Sequence, residues 1–137
     1  MPEARTQKLE RQIPNTLKPG GLGERLLLHA TRCIRLADRM VKTQSARLVT
    51  GQLIRSSTSA GANYQEARGA ESRADFVHKL QVVLKELRET QYWLMLVSSA
   101  GLSSSAAVEP LLVEVDELIR MVVKSILTAK SNVKKGD

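Results

Sequence analysis

A chain of 137 residues with a net charge of +7 has the size of one domain and can bury a core without disulfide or metal staples. Cys33 is the only cysteine, which excludes an intramolecular disulfide and fits a reducing, cytoplasmic setting. The N-terminus lacks an apolar signal-peptide segment and no apolar run approaches the ~20 residues of a membrane span, so no membrane association is expected.

Aromatic residues make up 3% of the chain and hydrophobic residues 42%, so Ala, Leu and Val must build the interior. The charge is uneven: residues 1–70 hold twelve Lys and Arg against five acids, whereas residues 71–137 balance at nine each. Such asymmetry points to a polyanionic partner, although a solvated surface that keeps the chain soluble has the same signature.

Residues 1–23 carry Pro2, Pro14 and Pro19, then Gly20, Gly21 and Gly23, without sustained apolar periodicity. They read as a flexible arm. A first helix is expected over Glu24–Lys42. Leu26, Leu27, Ala30, Cys33, Ile34, Ala37, Met40 and Val41 form its apolar stripe, with Arg32, Arg35 and Arg39 together on another side. Cys33 reads as a small buried hydrophobe. His29 has no ligand partner at metal spacing and reads as a surface or boundary residue.

A second helix is expected over Ser45–Arg68. Ala46, Val49, Leu53, Ala60, Tyr64 and Ala67 draw its core stripe. Beside it runs a strip of Gln52, Ser56, Ser59, Asn63 and Glu66, with Ala60, Gly61 and Ala62 near it. An exposed strip would more usually carry Lys and Glu, so this one is expected to be at least half-buried against another helix. Gly69 suits a helix C-cap, and Ser72 followed by Asp75 has the spacing of a helix start.

The third helix is expected to run to Ser99, with Phe76, Leu80, Val83, Leu87, Thr90, Leu94 and Val97 inward. Val82, Glu89, Trp93 and Leu96 lie on a different face. An apolar patch around Trp93, pointing away from the core, would suggest association with another chain. Ala100–Ser105 reads as a turn. A fourth helix over Ala106–Ala129 has early acids and late bases, complementing the helix dipole, and Pro110 is placed in its first turn. Residues 131–137 read as a frayed tail. The expected organisation is thus an arm (1–23), a domain (24–130) and a tail. Four amphipathic helices with short links imply an all-α, up-down-up-down antiparallel bundle.

Arg55, Ser56, Ser59, Ala62, Asn63 and Glu66, followed by Ser72, Asp75, Phe76, Lys79 and Leu80, resemble the hallmark of the four-helix-bundle protein family. Its members are also described as intervening-sequence proteins, because some are encoded within insertions in large-subunit ribosomal RNA genes. Lys85, Glu86, Glu89, Tyr92, Trp93 and Leu94 are similar to one branch of it. The resemblance implies a left-handed bundle that assembles into a homopentamer. It also implies kinship with the accessory variability determinant of diversity-generating retroelements, which binds a reverse transcriptase and nucleic acid.

The resulting expectation is a non-catalytic oligomeric scaffold that needs no cofactor and binds RNA or DNA through Arg25, Arg32, Arg35, Arg39, Lys42, Arg47 and Arg55. With so few aromatics, shape and charge recognition is expected rather than base stacking. Ser56, Ser59, Asn63, Glu66, Val82, Glu89, Trp93 and Leu96 are expected at helix-packing or subunit contacts. The alternative is a protein-interaction module that never touches nucleic acid. An enzyme is the weakest reading, since Glu66 lacks an acid-base partner in sequence and no spacing specifies a triad.

Overall fold

A computed structural model describes residues 17–134, with side chains to Asn132. The expectations for the arm over residues 1–16 and for the tail over residues 135–137 lie outside the described residues. The described residues form four helices and no strand: α1 (Leu22–Asp38), α2 (Gln44–Arg68), α3 (Arg73–Ser99) and α4 (Ser105–Lys134).

Local chemistry explains most boundaries. The Thr43 and Ser72 side chains accept hydrogen bonds from the Ala46 and Asp75 backbone N–H groups, starting α2 and α3. The end of α3 is a Schellman turn: Leu102 N–H reaches Val97 O at 3.0 Å and Gly101 N–H reaches Ser98 O at 3.1 Å. Gly101 has φ +68°, a conformation that favours glycine.

Three expectations at helix ends need correction. The first helix stops at Asp38 rather than Lys42, because Arg39 and Met40 donate to Leu36 O and Ala37 O in a tightened last turn. Val41, placed in the stripe by periodicity, is consequently 55% exposed. The fourth helix begins at Ser105, so Pro110 lies in its second turn and deprives Ala106 O of its helical donor. Ala106 is exposed, so water can replace that bond. The same helix continues through Lys134, beyond the expected start of fraying.

The core runs along the shared axis. Leu53, Leu80, Val83, Leu94, Val97, Val108, Val115, Leu118 and Val122 are fully buried and come from α2, α3 and α4. From α1 it receives Leu26, Cys33 and Leu36. Each fully buried aliphatic side chain contributes roughly 1.5–3 kcal/mol. Contacts between neighbouring helices run in opposite chain senses. Arg25 meets Glu117 while Arg32 meets Glu114, and Arg55 meets Glu86 while Glu66 meets Lys79. Packing joins α1 to α2, α2 to α3, α3 to α4 and α4 back to α1, which is a four-helix bundle.

Candidate functional site

The seven basic residues singled out from the sequence separate into two groups. Arg25 Nη2 lies 2.6 Å from Glu117 and its Nη1 donates to Met121 Sδ at 3.1 Å. Arg32 lies 2.8 Å from Glu114. Arg55 donates to Gln52 at 3.0 Å, pairs with Glu86 at 3.2 Å and contacts Glu89. These pairs tie α1 to α4 and α2 to α3. Exposed pairs contribute about 0–1 kcal/mol at most, so their larger effect is to cancel charge locally. Arg35, Arg39 and Arg47 are exposed and take part in no ion pair among the described residues. Lys42 reaches only the Asp38 carbonyl, at 3.5 Å. These four bracket the α1–α2 link at one end of the bundle. Periodicity had grouped Arg32 with Arg35 and Arg39, but Arg32 turns toward the carboxylate on α4.

The α2–α3 seam holds the small polar strip. Ser56 is fully buried, and Thr90 Oγ1 donates to its Oγ at 2.8 Å. Each hydroxyl also reaches a carbonyl of its own helix, Leu53 O or Glu86 O. Asn63 Nδ2 donates to Ser59 O at 2.9 Å and to Ser59 Oγ at 3.0 Å. Glu66 is exposed and accepts from Lys79 Nζ at 3.1 Å. The strip therefore grades from buried at Ser56 to open at Glu66. Val82, Glu89, Trp93 and Leu96 are half-buried on α3. Contrary to the expectation that it points away from the core, Trp93 packs on the core's edge, with its ring 5.2 Å from that of Tyr92 in a T-shaped contact. Its neighbours Tyr92 and Met95 are the exposed members of that region. The Trp93 indole N–H is buried and has no acceptor among the described residues.

His29 requires a second correction, since it is 1% exposed. Its Nε2 lies 3.1 Å from Leu111 O, and its Nδ1 faces Cys33 Sγ at 3.8 Å. A neutral ring can donate to the carbonyl through Nε2 and accept from the thiol through Nδ1. Burial lowers the His29 pKa from its ordinary value; the Leu111 carbonyl and Glu114 oppose this, and Arg32 and Arg25 add to it. Burial likewise pushes the Cys33 thiol up to about 12, against a hydrogen bond with Ser57. A thiol so held is a poor nucleophile at neutral pH. The pair is one turn apart on α1, so its spacing was visible in the sequence. The burial of Cys33 was legible too, from its place in the apolar stripe; that of His29 was not, because the carbonyl that covers it comes from α4.

Between α1 and α2 the bundle is open. A groove of about 490 Å³ is lined by Leu17, Ala30, Ile34, Gly61, Ala62 and Thr58, among others. Gly61 and Ala62 were noted as small residues suited to a close helix approach; in the structure they border this groove. Among the described residues no cluster of His, Cys, Asp or Glu could hold a metal ion, and no helix is long and apolar enough to cross a membrane.

Comparison with known proteins matches this geometry. No curated protein matches the chain. Among solved structures, a protein of unknown function from the S23 ribosomal protein family of Bacteroides thetaiotaomicron VPI-5482 superposes with a TM-score of 0.73 at 34% identity. The match covers 77% of this chain and 98% of that one. The family model for the 23S rRNA-intervening sequence protein matches residues 27–124, which take in α2 and α3 whole and most of α1 and α4. The chain belongs to the 23S rRNA-intervening sequence protein family.

Proposed function

We propose that the chain is a cytoplasmic, non-catalytic scaffold that binds structured RNA or a DNA duplex through the basic end of its bundle. The observation that carries this reading is the division of the arginines. Arg35, Arg39, Lys42 and Arg47 stand around the α1–α2 link without carboxylate partners among the described residues, with Asp38 the one acid in residues 35–47. Arg25, Arg32 and Arg55 are neutralised in place. Phosphate contacts need mobile, unpaired cations more than a shaped pocket. The low aromatic content supports recognition of shape and charge.

Assembly into a homo-oligomer, pentameric as the family resemblance implies, would repeat this basic end around a ring and strengthen its field. The accessible rim of the α2–α3 seam, at Ser59, Asn63, Glu66, Val82, Glu89, Trp93 and Leu96, is the surface proposed for that contact. Service as an accessory to an RNA-processing or reverse-transcriptase system is the corresponding biological role.

Binding of a structured RNA and a matched DNA duplex across a salt series tests the reading, with native mass measured in the same buffer. Micromolar or tighter binding that weakens steeply with salt is expected. Reversing Arg35, Arg39 and Arg47 to Glu should shallow the logarithmic salt slope by roughly one per lost phosphate contact. The same reversal at Arg25 should cost stability more than affinity. Absence of binding at low salt overturns the proposal.

A second reading has its own observation: Tyr92 and Met95 are about half-exposed beside Trp93, whose N–H lacks an acceptor. That combination favours a protein partner on α3, without nucleic acid. Loss of a partner on Tyr92→Ala, with unchanged behaviour after the arginine reversals, would decide for it.

A further inference from the structure

Of the four helices, α1 is held least. Its only covalent tie to the other three is the link over residues 39–43, and its packing on α4 is the loosest of the four neighbouring pairs. On its α2 side lies the open groove. What joins α1 to α4 is a short row of polar groups, Arg25, His29 and Arg32, at steps of four and three along one side of the helix. Arg25 reaches Glu117, His29 Nε2 meets Leu111 O, and Arg32 reaches Glu114. The two arginine pairs are open to water and hold weakly. His29 alone in this row is fully enclosed.

The surroundings of the ring suit its neutral form. Nε2–H donates to the Leu111 carbonyl, and Nδ1 faces the Cys33 thiol, itself hydrogen-bonded with Ser57 on α2. A second proton would sit on Nδ1 against sulfur, a weak acceptor, where water does not enter. Arg25 and Arg32 repel an imidazolium, and the one acid acting on it, Glu114, is already engaged by Arg32. From α2 comes only the Ser57 hydroxyl, and α3 brings no charged group to the ring among the described residues. A protonated ring is therefore better placed in water than in the seam, and parting α1 from α4 breaks the least packing.

We infer that α1 is a pH-sensitive latch: protonating His29 releases it from α4, about the link over residues 39–43, while α2, α3 and α4 stay packed. Release bares Leu26 and Leu36 as well as Cys33, so at neutral pH the released form is a minor population. It also undoes the Arg25–Glu117 and Arg32–Glu114 pairs. Two more guanidiniums then become available for phosphate; that consequence rests on the nucleic-acid reading above, whereas the release does not.

The test follows Cys33, the only cysteine and completely buried, in the full chain and without nucleic acid. The probe is dithiodipyridine, an aromatic disulfide that modifies thiols in acid as well as at neutral pH. Its rate with Cys33, divided by its rate with N-acetylcysteine amide, measures opening at each pH. That ratio is expected to rise by up to about tenfold per pH unit below 6.5, because release takes up one proton. His29→Gln, which keeps a donor for the Leu111 carbonyl and cannot be protonated, should remove the rise while far-UV circular dichroism stays unchanged. Urea should accelerate labelling far less steeply than it drives global unfolding, read by the fluorescence of Trp93 on α3. A ratio independent of pH, or rising only below about pH 5 where carboxylates titrate, overturns the inference. So does an undiminished rise in His29→Gln, or a urea dependence equal to that of global unfolding. If His29→Gln fails to fold, the pH and urea dependences of the wild-type chain still decide.

Discussion

The two seams flanking α2 are built differently. On the α3 side, buried Ser56 and Thr90 share a hydrogen bond, and Arg55, Glu86, Glu66 and Lys79 lace the rim. On the α1 side no ion pair joins the helices among the described residues, and a groove of about 490 Å³ remains between them. One helix therefore packs closely along one neighbour and leaves a gap toward the other. The difference arises from residue size. Ala30, Gly61 and Ala62 leave space where Leu53, Leu87 and Leu94 fill it.

The sharpest way to expose this contrast is truncation on each side. Leu87→Ala should cost about 2–5 kcal/mol, because Leu87 is 1% exposed and its cavity cannot collapse among helices packed on all sides. Ile34→Ala, at the half-buried groove wall, should cost about 1 kcal/mol or less. Urea unfolding of the two variants measures the gap, and equal losses would mean that the seams do not differ.

Thr90→Val tests the polar tie on the closed side. It removes the donor to Ser56 without changing side-chain volume much, and should cost roughly 1 kcal/mol in the same assay. Gly61→Ala tests the open side with the opposite sign. Its Cβ would meet Leu26 Cβ at 3.8 Å, an ordinary contact. The gain in helix propensity should stabilise the protein by about 0.5–1 kcal/mol. A destabilised Gly61→Ala would show the groove to be narrower than it is drawn.

The last effect is absent at neutral pH and emerges on acidification. The His29 pKa is lowered in the folded state from 6.5, the value expected when unfolded, so the unfolded chain takes up the proton first. Stability is therefore complete above pH 6.5 and declines as pH falls from there toward the lower folded pKa. Groups facing the ring are the Leu111 carbonyl and Glu114 on α4, and Cys33, Arg25 and Arg32 on α1. Thermal melts at pH 7.5 and 5.5 should show this slope, and His29→Gln should flatten it by the share that His29 contributes. An unchanged slope in His29→Gln would assign the acid sensitivity to the carboxylates.

Helix number, the inward rows of α2, α3 and α4, and the cap at Ser72 were legible from periodicity and local hydrogen-bonding chemistry alone. Those features depend on residues within a few positions of each other, which is the range that a linear pattern records. The basic half of the chain was equally plain, as a sum. Which arginines remain unpaired was not, because Glu114, Glu117, Glu86 and Glu89 approach from helices distant in sequence. His29 looked like a boundary residue until α4 covered it, and Trp93 looked outward until the bundle core formed beside it. The sequence by itself thus determined four amphipathic helices, their order and the family. Only the tertiary structure decided which charges stay free, which polar groups are enclosed and which seam stays open. Each of those depends on what the opposite helix presents, and that is fixed by register and side-chain volume across the bundle.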